Sequence, residues 1–177
     1  VKRGFNGKRE ATIEELRILT KLAEGILDSC PDKRDYALRV SGWVKQIVAN
    51  RLSFYPADAG LYNALYMDVL LMEAQHRVVD SALIYLEYKR DESRKFYTPR
   101  RDTFVKFGII QGLQDLLDDK IDFLSVSLPP GVGKTTIEVF FLSLVGGYWP
   151  DCFNLSSAHS AIMTRSIFDG IAEIIDD

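Results

Sequence analysis

The densest chemistry in this 177-residue sequence lies in Leu128-Pro129-Pro130-Gly131-Val132-Gly133-Lys134-Thr135-Thr136. Holding a phosphate chain takes glycines that let the backbone curl, N–H groups turned inward, a lysine for the β- and γ-phosphates and a hydroxyl for Mg²⁺. Each part is present. Gly131 and Gly133 can take positive φ, and Pro129 and Pro130 have no N–H, so the donors run from Gly131 through Val132, Gly133, Lys134 and Thr135 to Thr136. Lys134 is the candidate catalytic charge and Thr135 the candidate Mg²⁺ ligand; the helix expected to open here adds its N-terminal dipole. ATP and Mg²⁺ are the expected ligands. The strict spacing G-x-x-x-x-G-K-[ST] fails at its first position, where Leu128 stands. A bare G-K-[ST] arises by chance in roughly one chain in ten of this length, so context decides. Here the run follows the apolar Phe123–Leu128 and opens an apolar helix, Thr135–Val145. The alternative is a tight strand-to-helix turn in which Lys134 is only a solvated charge.

The elements that must position this loop follow from periodicity. A helix over about Thr103–Leu117, a strand Phe123–Leu128, the Thr135–Val145 helix, a short strand Cys152–Ser157 and an amphipathic helix Ser160–Ile175 suggest parallel α/β units. The first half reads as helices. Thr12 and Glu15 have capping-box spacing, and Ile13, Leu16, Leu19, Leu22, Ala23, Ile26 and Leu27 keep a helical period as far as Pro31. A second helix is expected from Asp32 to near Pro56, interrupted at Gly42, and a third from Asp58 as far as Lys89, making a small antiparallel bundle. The period is lost at Arg94 and Pro99 blocks a continuous helix, so the boundary is set there: a helical region 1–94, then 95–177.

Hydrophobic residues make up 47% and charged residues 27% of the chain, which excludes a disordered polymer. The net charge of −3 excludes a uniformly basic nucleic-acid binder, yet it hides a split: residues 1–101 hold 18 Lys/Arg against 14 Asp/Glu, the remainder 4 against 11. Cys30 and Cys152 lie far apart with no metal or disulfide spacing, which fits a cytoplasmic protein. The longest apolar run, Val139–Trp149, is too short for a membrane span, and the start Val1-Lys2-Arg3-Gly4-Phe5 leads into no apolar signal core.

Other residues invite two readings. Lys89, Arg90, Arg94, Lys95, Arg100 and Arg101 among Tyr85, Tyr88, Phe96 and Tyr97 can track a phosphate backbone, or form a solvated linker with its aromatics tucked inward. Asp115, Asp118, Asp119 and Asp122 resemble a metal cluster but sit at a helix end, where solvated surface is the plainer reading. His76 reads as structural and His159 as a weak candidate near the second strand. Trp43 and Trp149 read as packing residues.

Phe123–Thr136, then Phe141-Leu142-Ser143-Leu144-Val145-Gly146-Gly147 with Trp149-Pro150-Asp151, then Ser156-Ser157-Ala158 and a helix carrying Arg165, resemble the start of the ATPase domain of bacteriophage terminase large subunits. The resemblance covers about Tyr97 to Ile175. It implies an N-terminal helical bundle followed by the incomplete first half of a P-loop NTPase domain with a parallel sheet. It also places Pro99-Arg100-Arg101 where such proteins contact the adenine, making Arg100 and Arg101 cofactor-binding candidates. Terminase loops often carry an arginine ahead of the Gly-Lys; here Pro129, Pro130, Gly131 and Val132 occupy those positions, so that arginine has to come from elsewhere.

The resemblance further implies a function. In the intact protein, ATP hydrolysis would drive double-stranded viral DNA into a capsid, with a small terminase subunit, a portal and an oligomeric motor as partners, in the cytoplasm of the host. A P-loop ATPase also needs a hydrophobic strand ending in Asp-Glu to hold Mg²⁺ and polarise water, and none follows the loop. The expectation is therefore an N-terminal piece of a longer protein that does not hydrolyse ATP alone and whose two strands lack their neighbours. Two alternatives stand beside it: another P-loop ATPase of clamp-loader or helicase type, and a non-enzymatic helical adaptor with a nucleotide-binding remnant.

Overall fold

The structure is a computed structural model that describes residues 10–88 and 90–176. The N-terminal run read for a signal, Lys89 of the basic stretch and Asp177 lie outside the described residues. The chain divides between His76 and Arg77 into two compact units, whereas the loss of helical period suggested a boundary near Arg94.

The first unit is a three-helix bundle. α1 (Ile13–Ser29) starts at a reciprocal cap: Thr12 Oγ1 accepts the Glu15 N–H at 3.2 Å and Glu15 Oε2 accepts the Thr12 N–H at 2.7 Å. Leu16, Ala23 and Leu27 recur on its buried face, and the helix ends at Cys30 because Pro31 follows. A 3₁₀ turn, Pro31–Lys33, leads into α2 (Arg34–Phe54), which runs through Gly42 without the expected interruption. A helical glycine costs only about 1 kcal/mol, and Ala37, Val44 and Val48, all fully buried, offset it. After the 3₁₀ turn Pro56–Asp58, α3 (Ala59–Gln75) closes the core with Tyr62, Leu65, Val69 and Met72. One charge is buried here. Glu73 accepts from the Ser41 hydroxyl and, at 2.5 Å, from Lys45 Nζ, tying α3 to α2 at one register.

The second unit contains α4 (Val79–Glu87), α5 (Arg101–Lys106), α6 (Ile109–Leu117), α7 (Lys134–Tyr148) and α8 (Ala161–Asp176). The expected long third helix is broken between α3 and α4, where Arg77 takes φ +61°. Gln114, from α6, makes the break possible: its amide donates to the Arg77 carbonyl and its Oε1 accepts the Val79 N–H, both at 2.9 Å. The helix expected over Thr103–Leu117 is likewise split at Gly108, φ +70°. Phe104, Ile109, Ile110, Leu113 and Leu117 are buried from this pair, and α8 packs on α7 where Gly170 lets Val139 approach.

The expected α/β architecture is corrected by this structure: among the described residues there is no strand, so the P-loop NTPase parallel sheet is absent. Phe123–Leu128 and Cys152–Ser157 carry no strand pairing. Leu124 packs against Gly112 of α6 and Leu128 is buried, but Phe123 is 80% exposed and Phe153 and Leu155 stand in solvent. The physical reason is that an apolar run marks only a segment that gains from burial, whereas a strand exists only by bonding to a neighbour. No helix among the described residues is long and apolar enough to cross a membrane.

Candidate functional site: the glycine loop at the start of α7

The loop ahead of α7 is shaped by its glycines. Gly131 takes φ +81° and Gly133 φ +98°, conformations that a side chain resists, and Gly133 in the left-handed region is the N-cap of the helix. The first intrahelical bond runs from the Ile137 N–H to the Gly133 carbonyl at 3.0 Å. The N–H groups of Lys134, Thr135 and Thr136 therefore have no partner within the helix. No side chain caps this end and no acidic residue stands in its first turn. Lys134 turns back over the loop, donating from Nζ to the Leu128 carbonyl at 2.7 Å. Thr135 and Thr136 are half-buried at the same end. Chemically this is a helix start with a positive dipole end, unfilled donors and a folded-back ammonium, all favouring an anion.

The structure brings an aromatic of the basic stretch against this loop. Phe96 lies so near Gly133 that a Cβ there would fall 2.1 Å from its Cζ atom. Arg100 stacks on the Phe96 ring, guanidinium carbon 4.8 Å from the centroid, and donates to the Phe96 carbonyl at 3.3 Å. The ring itself is held between Phe104 and Phe140, with centroids 5.9 and 6.3 Å away. Arg101 is turned elsewhere. Its Nε and Nη2 donate to the two oxygens of Asp80 at 2.7 and 2.8 Å, and Asp80 also accepts from the Tyr97 hydroxyl at 2.7 Å. Burial, and then the charge of Asp80, push the Tyr97 phenol well above its ordinary pKa.

Sequence reasoning missed the two carboxylates that hold this segment. Glu87, wholly buried at the end of α4, accepts the N–H groups of Phe96 and Tyr97 at 2.6 Å each, the Thr98 N–H at 2.9 Å and the Thr98 hydroxyl at 3.1 Å. The available signal was Asp80 and Glu87, seven residues apart and so on one face of an otherwise apolar helix.

Several cations of the basic stretch have partners within the chain. Lys95 meets Glu92 at 2.5 Å, Arg94 meets Glu173 at 3.2 Å, and Arg90 lies over the Phe140 ring at 5.6 Å. Asp115 and Asp118 gather around Lys120 at 3.5 and 3.1 Å, the Asp118 hydrogen bond first among the causes that raise the lysine's pKa. No group of three or more His, Cys, Asp or Glu side chains fit to hold a metal occurs among the described residues. His76 caps α3 with Nε2 3.4 Å from Asp28, and His159 is exposed. Trp149 lies under the Arg77 guanidinium at 4.6 Å, whereas Trp43 is half exposed. In the first unit a groove of about 220 Å³ between α1 and α3 sets Arg17 and Lys21 beside Glu24 and Asp68, so its charges cancel.

Comparison with protein-family models, curated proteins and solved structures finds no match to this chain.

Proposed function

We propose that the loop Gly131–Thr136 binds the polyphosphate of a nucleoside triphosphate. The observation that carries this reading is the combination at one helix start: two positive-φ glycines, an uncapped first turn, and Lys134 folded across the loop onto the Leu128 carbonyl. The N–H groups of Lys134, Thr135 and Thr136 would take phosphate oxygens, and Lys134 would leave Leu128 for the β/γ-phosphates. ATP is the proposed ligand. Mg²⁺ commonly takes one or two protein ligands plus phosphate oxygens, so Thr135 would hold it with its hydroxyl, where the ion would neutralise phosphate charge. The wider role rests on the sequence resemblance of residues 97–175 alone: the ATP-binding part of a terminase large subunit acting on viral double-stranded DNA, with small-subunit and portal partners, in the host cytoplasm.

The test is calorimetric titration of the 177-residue chain with Mg-ATP and with tripolyphosphate, against Lys134→Met. Lys134 makes a single hydrogen bond to the loop, so the variant should keep its unfolding midpoint. Loss of one charge-assisted bond should weaken tripolyphosphate about tenfold or more. A folded Lys134→Met chain that binds as tightly as the parent would refute the reading.

A further inference from the structure

A carboxylate buried at a helix C-terminus is doubly disfavoured, by desolvation and by the negative end of the helix dipole. Glu87 stands in that position, 0% exposed at the last residue of α4. What offsets the cost is its four donors, three of them successive main-chain N–H groups of residues 96–98. These bonds fix the entry into the 3₁₀ turn Thr98–Arg100, which passes straight into α5. Asp80 adds a second tie to the same segment by gripping Tyr97 and Arg101. The outcome is a division of labour along the segment. The side chains of Tyr97, Thr98 and Arg101 are bonded to α4, while the Phe96 ring lies against Gly133 with the Arg100 guanidinium on it. Among the described residues Arg100 has no carboxylate partner; its hydrogen bond goes to the Phe96 carbonyl.

We propose that Glu87 is a positioning residue for the phosphate loop: by clamping residues 96–98 it holds Arg100 on the Phe96 platform, where the guanidinium adds a second positive charge to a polyphosphate bound by Gly131–Thr136. This rests on the phosphate-loop reading above and extends it to a residue that never touches the ligand. A fork of fixed geometry suits phosphate oxygens, and the stack on Phe96 limits the rotamer freedom lost on binding.

The experiment measures tripolyphosphate and ATP affinities of the 177-residue chain by titration calorimetry, with circular dichroism as the check on folding. Arg100→Ala should weaken tripolyphosphate about tenfold, as expected for loss of a charge-assisted bond, and Glu87→Gln should weaken it by a similar factor. The double variant should be no weaker than Arg100→Ala alone, because Glu87 acts through Arg100; a purely structural role would make the two losses multiply. Thr98→Val, which removes only the hydroxyl donor, should keep the fold and show a smaller loss that also vanishes in the Arg100→Ala background, so the proposal stays testable if Glu87→Gln unfolds. If Lys134→Met leaves binding intact, the phosphate-loop reading itself fails. If Lys134→Met weakens binding while Arg100→Ala does not, the positioning proposal alone falls. Loss of ATP but not tripolyphosphate affinity in Arg100→Ala would overturn it too, by assigning the arginine to the base.

Discussion

Replacing Gly133 by alanine probes the loop without touching any charge. At φ +98° an alanine is strained by about 1–2 kcal/mol. Its Cβ would also sit 2.1 Å from Phe96 Cζ and 2.4 Å from Cε2. The ring cannot swing clear at little cost, because it is stacked on Phe140, flanked by the tilted Phe104 ring and covered by Arg100. Overpacking of this kind adds about 1–3 kcal/mol, so the sum is roughly 2–5 kcal/mol, a large share of a typical domain's stability. Gly131→Ala is the internal control, since at φ +81° it meets the backbone penalty with nothing within 4 Å of the new carbon. Urea unfolding followed by Trp149 fluorescence in a Trp43→Phe background reports on the second unit alone. The gap between the two alanine variants should be about 1–3 kcal/mol, and it should close in a Phe96→Leu background, where the ring tip is gone. Equal penalties at the two glycines, or a gap that Phe96→Leu leaves untouched, would refute the placement of the ring on the loop.

Two further outcomes follow from buried polar groups. Burial raises the phenol pKa of Tyr97 and Tyr148 above the ordinary 10.0, with Asp80 adding at Tyr97 and Arg77 opposing at Tyr148; the second unit should hold its full stability below about pH 10 and lose it as pH rises further, since the unfolded chain releases these protons first. Urea midpoints from pH 8 upward should show this alkaline fall, and Tyr97→Phe should flatten it. In the first unit, Lys45→Met takes the Lys45 ammonium away from the buried Glu73 carboxylate, for a loss of roughly 3–5 kcal/mol. Adding Glu73→Leu should recover much of that by thermal unfolding, because replacing both partners removes the stranded charge.

What the sequence made legible was local. The Thr12–Glu15 cap, the buried period of Leu16, Ala23 and Leu27, and the stop at Pro31 each depend on residues within a few positions, and each is found as read. The failures share a cause in distance along the chain. The break at Arg77 needs Gln114, 37 residues away, to bond the Arg77 carbonyl, so the apolar period of residues 58–89 could not disclose it. The two expected strands fail for the same reason in sharper form. Apolar residues at Phe123, Leu124, Val126 and Leu128 are compatible with a strand, but ladder bonds belong to a pair of segments and no run of residues carries them alone. The resemblance puts Arg100 and Arg101 together at the adenine; Asp80, 21 residues upstream, takes the Arg101 guanidinium and leaves Arg100 on the Phe96 ring.

The loop survives the loss of the sheet because nothing that shapes it comes from a sheet. Its turns are set by glycine φ values, its closure by the Lys134 bond to Leu128, its base by the burial of Leu128, and its flank by the Phe96 ring at Gly133. Lys134 is not waiting unpaired, so an arriving anion gains from that residue only the difference between a phosphate oxygen and the Leu128 carbonyl as the acceptor of its ammonium. If the proposed phosphate site holds, the expected selectivity is for polyphosphate over single phosphates, because a chain of phosphates would reach the N–H groups of the α7 first turn, Lys134 and the Arg100 fork together, and competition of tripolyphosphate against orthophosphate measures it.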